Sequence, residues 1–509
     1  MSTKKRIVSV VATVVAGALA LSGCSNGRDV AQAPSGEQSS TSKASEEFRL
    51  GATFASTDSL DPATAASPGA MALSFYLYDS VALMTSEGEK LLLAESVTPN
   101  ETADQWTIKL KDAKFSNGDD VTGTDLIASL EHLSVVPSFQ EMYGNIDFDK
   151  SSADGSTVFL AMKEPASDFL VSSLAMFSPV APNGEFDGVG AGPFSFVKGD
   201  PTTGYTLEAN ESYYGGKPAI PSVVMKSIPD SDSRARALRT GEIDYAWGLE
   251  PASMKILKES EGIALPSGSL EGATIKELVL NTRVAPFNDP EVRRAAKLTV
   301  DRQKMVTTLL GDQGVVGNDL VGMGYPTYPV NIEQTTVNKD EARRIFAEKG
   351  VTQFTVVASD VAPGLVASAE LMAQEFKQVG LEMKIETVDP QSFFSQMPSL
   401  YETSAFTFYW INRMPLTNLK SQTSATSLYN VSGYTSDTLQ SNLDKASATV
   451  DEKEQEQLVA DISSEVHAQG GDLIWGYQKE TLAYREGLDG VVITQSMPWI
   501  AEATFTPVS

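Results

Sequence analysis

Residues 338–388 read NKDEARRIFAEKGVTQFTVVASDVAPGLVASAELMAQEFKQVGLEMKIETV, and the order of elements in them decides the fold class. Asn338 caps an amphipathic stretch that stops at Gly350, the signature of a helix closed at both ends. Phe354 to Ala358 is a short β-branched run that reads as a strand. SAELMAQEFKQVG then returns to helical spacing, and Met383 to Val388 is a second strand. Helix, strand, helix, strand in succession is one half of an open sheet domain. The same alternation recurs outward from this block and favours α/β over all-α or all-β. Phe48 to Phe54, Trp106 to Leu110 (WTIKL) and Gly204 to Glu208 (GYTLE) read as strands. Asp289-Pro290 opens a helix, with Pro at its first turn, which EVRRAAKLTVDRQKMVTTLLG carries to Gly311. No internal repeat is visible.

At 509 residues the chain calls for two or three compact units. A hydrophobic content of 41% with 21% charged residues belongs to a soluble globular body. Sixty-six acidic against 39 basic residues give a net charge of −27, which argues against a nucleic-acid surface, since phosphate binding needs clustered Lys and Arg. The N-terminus has a charged Lys4-Lys5-Arg6 followed by the apolar run Ile7 to Leu21, too short to span a membrane and suited to a signal peptide. Leu21-Ser22-Gly23-Cys24 resembles a bacterial lipobox, in which the thiol receives diacylglycerol and Cys24 becomes the first mature residue. Cys24 is the only cysteine, so no disulfide is available. Polar residues from Ser25 to about Ser45 read as a flexible tether. No later stretch is long and apolar enough for a membrane span. The expectation is a body outside the membrane, anchored by lipid on Cys24.

The chain has no Gly-x-Ser-x-Gly elbow and no His-Glu-x-x-His, so no hydrolase signature stands out. His132 and His467, the two histidines, lie far apart with no ligand spacing, so no metal site is expected. GVGAGP, residues 188–193, lacks the Lys-Ser/Thr of a phosphate loop. Gly118 and Gly192 suit turn conformations open to glycine. FTFYWINRMP, residues 406–415, holds the densest aromatic run, and an arginine follows it. Phe406, Phe408 and Trp410 alternate as in a strand, and Arg413 follows its end. An aromatic face stacks on a ligand and a guanidinium grips a carboxylate bidentately.

Several segments together resemble the family 5 solute-binding proteins of bacterial ABC importers. They include LGATFASTDSLDPATAAS with its Leu60-Asp61-Pro62 turn, and Leu93-Ala94-Glu95 followed by Trp106, Lys114 to Gly118 and Asp125. GVGAGPFSF, the Tyr-Gly-Gly-Lys-Pro and Gly-Glu-Ile-Asp elements of residues 214–244, and LVLNTRVAPFNDPEVRRAAKL come next, all in the family's order from about 48 to 480. The resemblance implies a type II clamshell of two α/β lobes with an extra subdomain inserted in the first. Lobe one is expected at 46–276 plus 484–509, its insert at about 65–185, and lobe two at 277–483, behind a signal peptide at 1–23 and a tether at 24–45. Crossings are expected near Thr274 to Leu278 and near Glu480 to Tyr484.

Carried over residue by residue, the resemblance brings Trp410 and Arg413, with their neighbours Tyr409 and Asn412, to the cleft from lobe two. It brings Met71 from a lobe-one helix and Trp247 from beside the hinge. Many peptide-binding members carry an aspartate just beyond this Trp for the ligand's α-amino group; here no acid occurs before Asp437. That departure points to an anionic ligand group on Arg413, or an amine held elsewhere. The implied function is a lipid-anchored, monomeric receptor without cofactor or catalysis, which captures a peptide or peptide-like solute and hands it to an ABC permease. A binder of a nickel chelate or other small anionic solute is the alternative. A secreted hydrolase on the same scaffold and a surface interaction protein are readings of other classes.

Overall fold

The computed structural model describes residues 47–85, 88–494 and 497–506. The signal peptide, Cys24 and the tether lie outside the described residues. Two large sheets organise the chain. Seven strands form the first, in the order Ile263–Ala264, Leu482–Arg485, Tyr245–Trp247, Phe48–Ala52, Ser222–Ser227, Gly204–Ala209, Phe194–Asp200. Six form the second, in the order Gly314–Val316, Asp472–Gln478, Thr274–Leu280, Ala405–Ile411, Gln353–Ala358, Glu382–Thr387. A four-stranded sheet built from residues 94–162 packs into the core of the first. No described helix is long and apolar enough to cross a membrane.

Local sequence explains most element ends. Asn338 accepts a hydrogen bond from the Glu341 amide and starts the helix Lys339–Glu348, and Gly350 at φ 68° lets the chain turn back after it. Thr122 and Asp125 form a reciprocal capping box on Gly123–Ser134. The long helix expected from Asp289 to Gly311 is instead two helices, Pro290–Thr299 and Arg302–Leu309. Val300 is extended (ψ 120°), and Asp301 caps the second helix by accepting from the Lys304 amide. An Asp that can cap competes with helix continuation through its own side chain. Gly118 has φ 95° with open space around it, as a turn glycine should. Gly192 is there for a different reason than a turn: a Cβ would meet the carbonyl oxygen of Tyr76 at 2.3 Å, so the glycine allows close approach to the helix Pro68–Tyr78.

The chain passes between the large sheets twice. It leaves the strand Ile263–Ala264 and enters the second sheet at Thr274, so the whole strand Thr274–Leu280, where the first crossing is expected, already lies in that sheet. It returns between Gln478 and Leu482. Each face of the second sheet has its own core. Leu278, Leu473 and Trp475 pack with the helices of residues 290–378, whereas Ile275, Phe406, Phe408, Trp410 and Ile474 pack under those of residues 415–469.

Glu277 lies in the middle of the second core, fully buried. One of its carboxyl oxygens accepts from the Trp410 indole at 2.8 Å; the other has no partner among the described residues. Burial pushes its carboxyl well above the usual range, and repulsion from Asp472 adds to this. A carboxyl whose folded value is raised binds its proton more tightly in the native state. Its contribution to stability is therefore complete at acid pH and is lost as pH rises above the unfolded value. Glu277→Gln keeps the acceptor for Trp410 and removes the charge. Melting curves from pH 5 to pH 8 are expected to fall less for the variant than for the wild type, by about 1.4 kcal/mol per pH unit until the folded value is passed.

Candidate functional site

A cavity of about 640 Å³ lies between the inserted subdomain and the second sheet's helices. Its walls come from two places. Residues 140–172 of the insert supply Glu141, Glu164 and Asp168; residues 413–447 supply Arg413, Lys420 and Asp444. The remaining lining is mainly Ser, Thr, Gln and Asn, with few apolar side chains. A wall of this kind offers a polar, charged solute many hydrogen-bonding groups and several charges.

Direct contacts bridge the two walls. The Arg413 guanidinium is 3.1 Å from the Glu141 carboxylate, and the Ser421 hydroxyl donates to the same carboxylate. The Thr417 hydroxyl donates to Asp168 at 3.0 Å, with the Lys420 ammonium 3.9 Å away. Beside them the Ser167 amide donates to the Ser447 carbonyl at 2.8 Å and the Ser167 hydroxyl to Ala446 at 2.9 Å. Met84 and Ala175 also bury against Tyr325, with Met414 at the edge of that cluster. These contacts join the two walls directly across the cavity.

Of the residues that the sequence points to, Arg413 lines the cavity. Its amide donates to Asn418 at 2.7 Å, and its Nε is buried without an acceptor among the described residues. The others do not line it. Trp410, only 8% exposed, packs with Phe406 and Phe408 in the second core. The period of two puts it on the same face as those phenylalanines, and helices cover that face. Asn412 is fully buried and holds protein atoms: Nδ2 donates to the carbonyls of Leu270 and Met323, both at 2.7 Å, and Oδ1 accepts from the Gly322 amide at 2.9 Å. Tyr409 is half-buried on the opposite face of the strand, near Phe394. Trp247 is buried in the first core, paired with Leu482 next to the return crossing. Met71 is half-buried against the same core. His132 bonds Asp61 at 3.0 Å and His467 bonds Thr335 at 3.1 Å, so both have partners away from the cavity.

Sequence reading passed over Glu141, Asp168, Thr417 and Lys420. Glu141 and Arg413 are 272 residues apart, and no local pattern links them. An acid in the short helix Gln140–Tyr143 looks like any solvated charge until the fold brings Arg413 against it.

A family model described as "Bacterial extracellular solute-binding proteins, family 5 Middle" matches residues 90–434. The glutathione-binding protein GsiB of Escherichia coli (strain K12) is 24% identical over 316 residues, 59% of this chain and 61% of that protein. This chain thus spans about three-fifths of the length of those curated relatives. The nickel-binding periplasmic protein of the same organism is 23% identical over 368 residues, 65% of this chain and 69% of the other. Among solved structures, the ABC transporter substrate binding protein CtaP from Listeria monocytogenes superposes with a TM-score of 0.79 at 19% identity, covering 90% of this chain and 99% of that one. The oligopeptide-binding protein AppA from Bacillus subtilis, in complex with a nonapeptide, gives 0.68 at 19% identity, with 90% and 98% covered. The architecture is therefore the two-lobed α/β clamshell of type II.

Trp410→Phe separates a core role from a cleft role. Loss of the indole N–H leaves the Glu277 oxygen unpaired, so unfolding in denaturant should show a loss of about 1–3 kcal/mol. Solute affinity of the folded variant is expected to change by less than about threefold, which is under 0.7 kcal/mol.

Proposed function

Since the chain belongs to the bacterial extracellular solute-binding proteins, family 5, with residues 90–434 matching that family's model, we propose that it is the substrate-binding component of an ABC importer. It captures a peptide or peptide-like small solute between its lobes and delivers it to a membrane permease. The lobes are taken as the seven-stranded and the six-stranded sheet, each with its helices, and the inserted subdomain as part of the first. The observation that carries this reading is the hydrophilic cavity of about 640 Å³, with one wall from each lobe. Neither wall encloses a solute alone, so capture and closure are one event, as in a hinged clamshell. Lipid on Cys24 would hold the body outside the membrane, beside its permease. The related proteins named for glutathione and nickel, and the neighbour solved with a nonapeptide, support a peptide or other small polar solute.

Binding without turnover is the working mode of such a receptor. Isothermal titration of the purified protein with peptide pools is expected to show saturable uptake of one solute per chain, with the solute recovered unchanged. Recovery of cleaved product would instead establish the hydrolase reading. For the anchor, Cys24→Ala is expected to move the protein from the membrane fraction to the soluble fraction; retention in the membrane would overturn lipidation at Cys24.

A further inference from the structure

At the end of the strand Ala405–Ile411 the second lobe has no acid to offer a ligand, and the Asn412 side chain there is used up. Both donors of Asn412 and its acceptor are bound to Leu270, Met323 and Gly322. An aspartate at this position would set a carboxylate against two carbonyl oxygens. The acids that reach the cavity come mainly from the first lobe. Asp168 is only 6% exposed yet lines the cavity. Its Oδ2 accepts from Thr417 at 3.0 Å, while its Oδ1 faces the Lys420 ammonium at 3.9 Å, too far for a hydrogen bond. Glu141 stands beside it on the same wall, paired with Arg413 at 3.1 Å. Arg413 has a buried Nε without an acceptor among the described residues. The lining as a whole carries the carboxylates Glu141, Glu164, Asp168 and Asp444 against the cations Arg413 and Lys420.

Building on the receptor reading, we propose that the cavity takes a solute bearing both a primary ammonium and a carboxylate, with Asp168 and Glu141 receiving the ammonium and Arg413 the carboxylate. The open Oδ1 of Asp168 accepts from the ammonium. The solute's carboxylate takes the place of Glu141 at the guanidinium. Glu141, released from Arg413, turns its charge to the ammonium. The two opposite charges of the solute thus enter a closed set of opposite charges, and none is left buried alone. A solute blocked at its amine leaves Glu141 without a cation and Asp168 with Lys420 alone at 3.9 Å; one blocked at its carboxyl leaves Arg413 to Glu141 and the ammonium to Asp168 alone. The amine receptor is in this way transferred from the strand end of lobe two to the inserted subdomain of lobe one.

The test uses trialanine, N-acetyl-trialanine and trialanine amide as titrants of the full chain. Trialanine is expected to bind, and blocking either end should weaken it by about 30-fold or more, the size expected for truncating one partner of a hydrogen-bonded charge pair. Asp168→Asn, nearly isosteric, should shrink the N-acetyl penalty to within about threefold while the amide penalty persists; Arg413→Ala should do the reverse. Glu141→Gln gives a second reading of the amine side, should melting curves show Asp168→Asn to be unfolded. An N-acetyl penalty that survives in both Asp168→Asn and Glu141→Gln overturns the proposal and leaves the receptor standing. Failure of trialanine where peptide pools bind saturably also overturns it alone. Absence of saturable binding by any of these solutes overturns both.

Discussion

Asn412 ties together the three segments on which the geometry of the cavity depends. Its backbone amide donates to the Ala273 carbonyl at 2.8 Å and its carbonyl accepts from the Gly272 amide at 3.0 Å, so the strand Ala405–Ile411 is bound to the segment by which the chain enters the second lobe. Its side chain adds Leu270 on that same segment and the Gly322–Met323 turn. With all of its polar atoms satisfied, this buried amide is costly to move. Arg413 is the next residue, and Asn418 fixes its amide. The guanidinium that reaches across to Glu141 is thus carried on a rigid base, while its partner acid comes on the helix Gln140–Tyr143.

This rigidity is bought by burying charge behind the cavity. Glu277 sits in the centre of the second sheet, held by Trp410 and close to Asp472, which burial also raises, to about 6. Further out, Arg302 grips Asp319 with two hydrogen bonds of 2.8 Å, and Lys297 lies 3.7 Å from the same carboxylate. Backbone carbonyls of Ile474, Lys297 and His467 take up the remaining donors of Arg302 and Lys297, so no cation there is left unpaired. A neutral Glu277 fits this setting because the Trp410 indole asks only for an acceptor. The aromatic residue that looked like a ligand platform is a part of the frame.

Between the lobes the logic is reversed. Arg413 with Glu141, and Lys420 with Asp168, are partly hydrated pairs that form only when the walls meet. Such pairs contribute little to stability. They do place opposite charges at fixed positions across a hydrophilic space, which is a basis for choosing a solute by its charges. The cross-lobe bonds of Ser167 to Ala446 and Ser447 lie at the edge of the same space and add closure without adding charge.

The sequence alone determined what depends on neighbours along the chain. The helix–strand block of 338–388, the Asn338 cap and the order of the family's motifs are local patterns, and local patterns survive without tertiary context. It also put Arg413 at a strand end. Where a second local signal competed, as at Asp301, a capping side chain cut one expected helix into two. Which face of FTFYWINRMP meets helices, and which acid meets Arg413, only the tertiary structure decided. Alternation gives Trp410 a side of the strand but does not say what covers that side. The partnership of Arg413 with Glu141 spans 272 residues and exists because the fold brings the helix Gln140–Tyr143 against the end of the strand Ala405–Ile411. Electrostatic contacts of this kind depend on distance in space, and distance along the chain carries no trace of it.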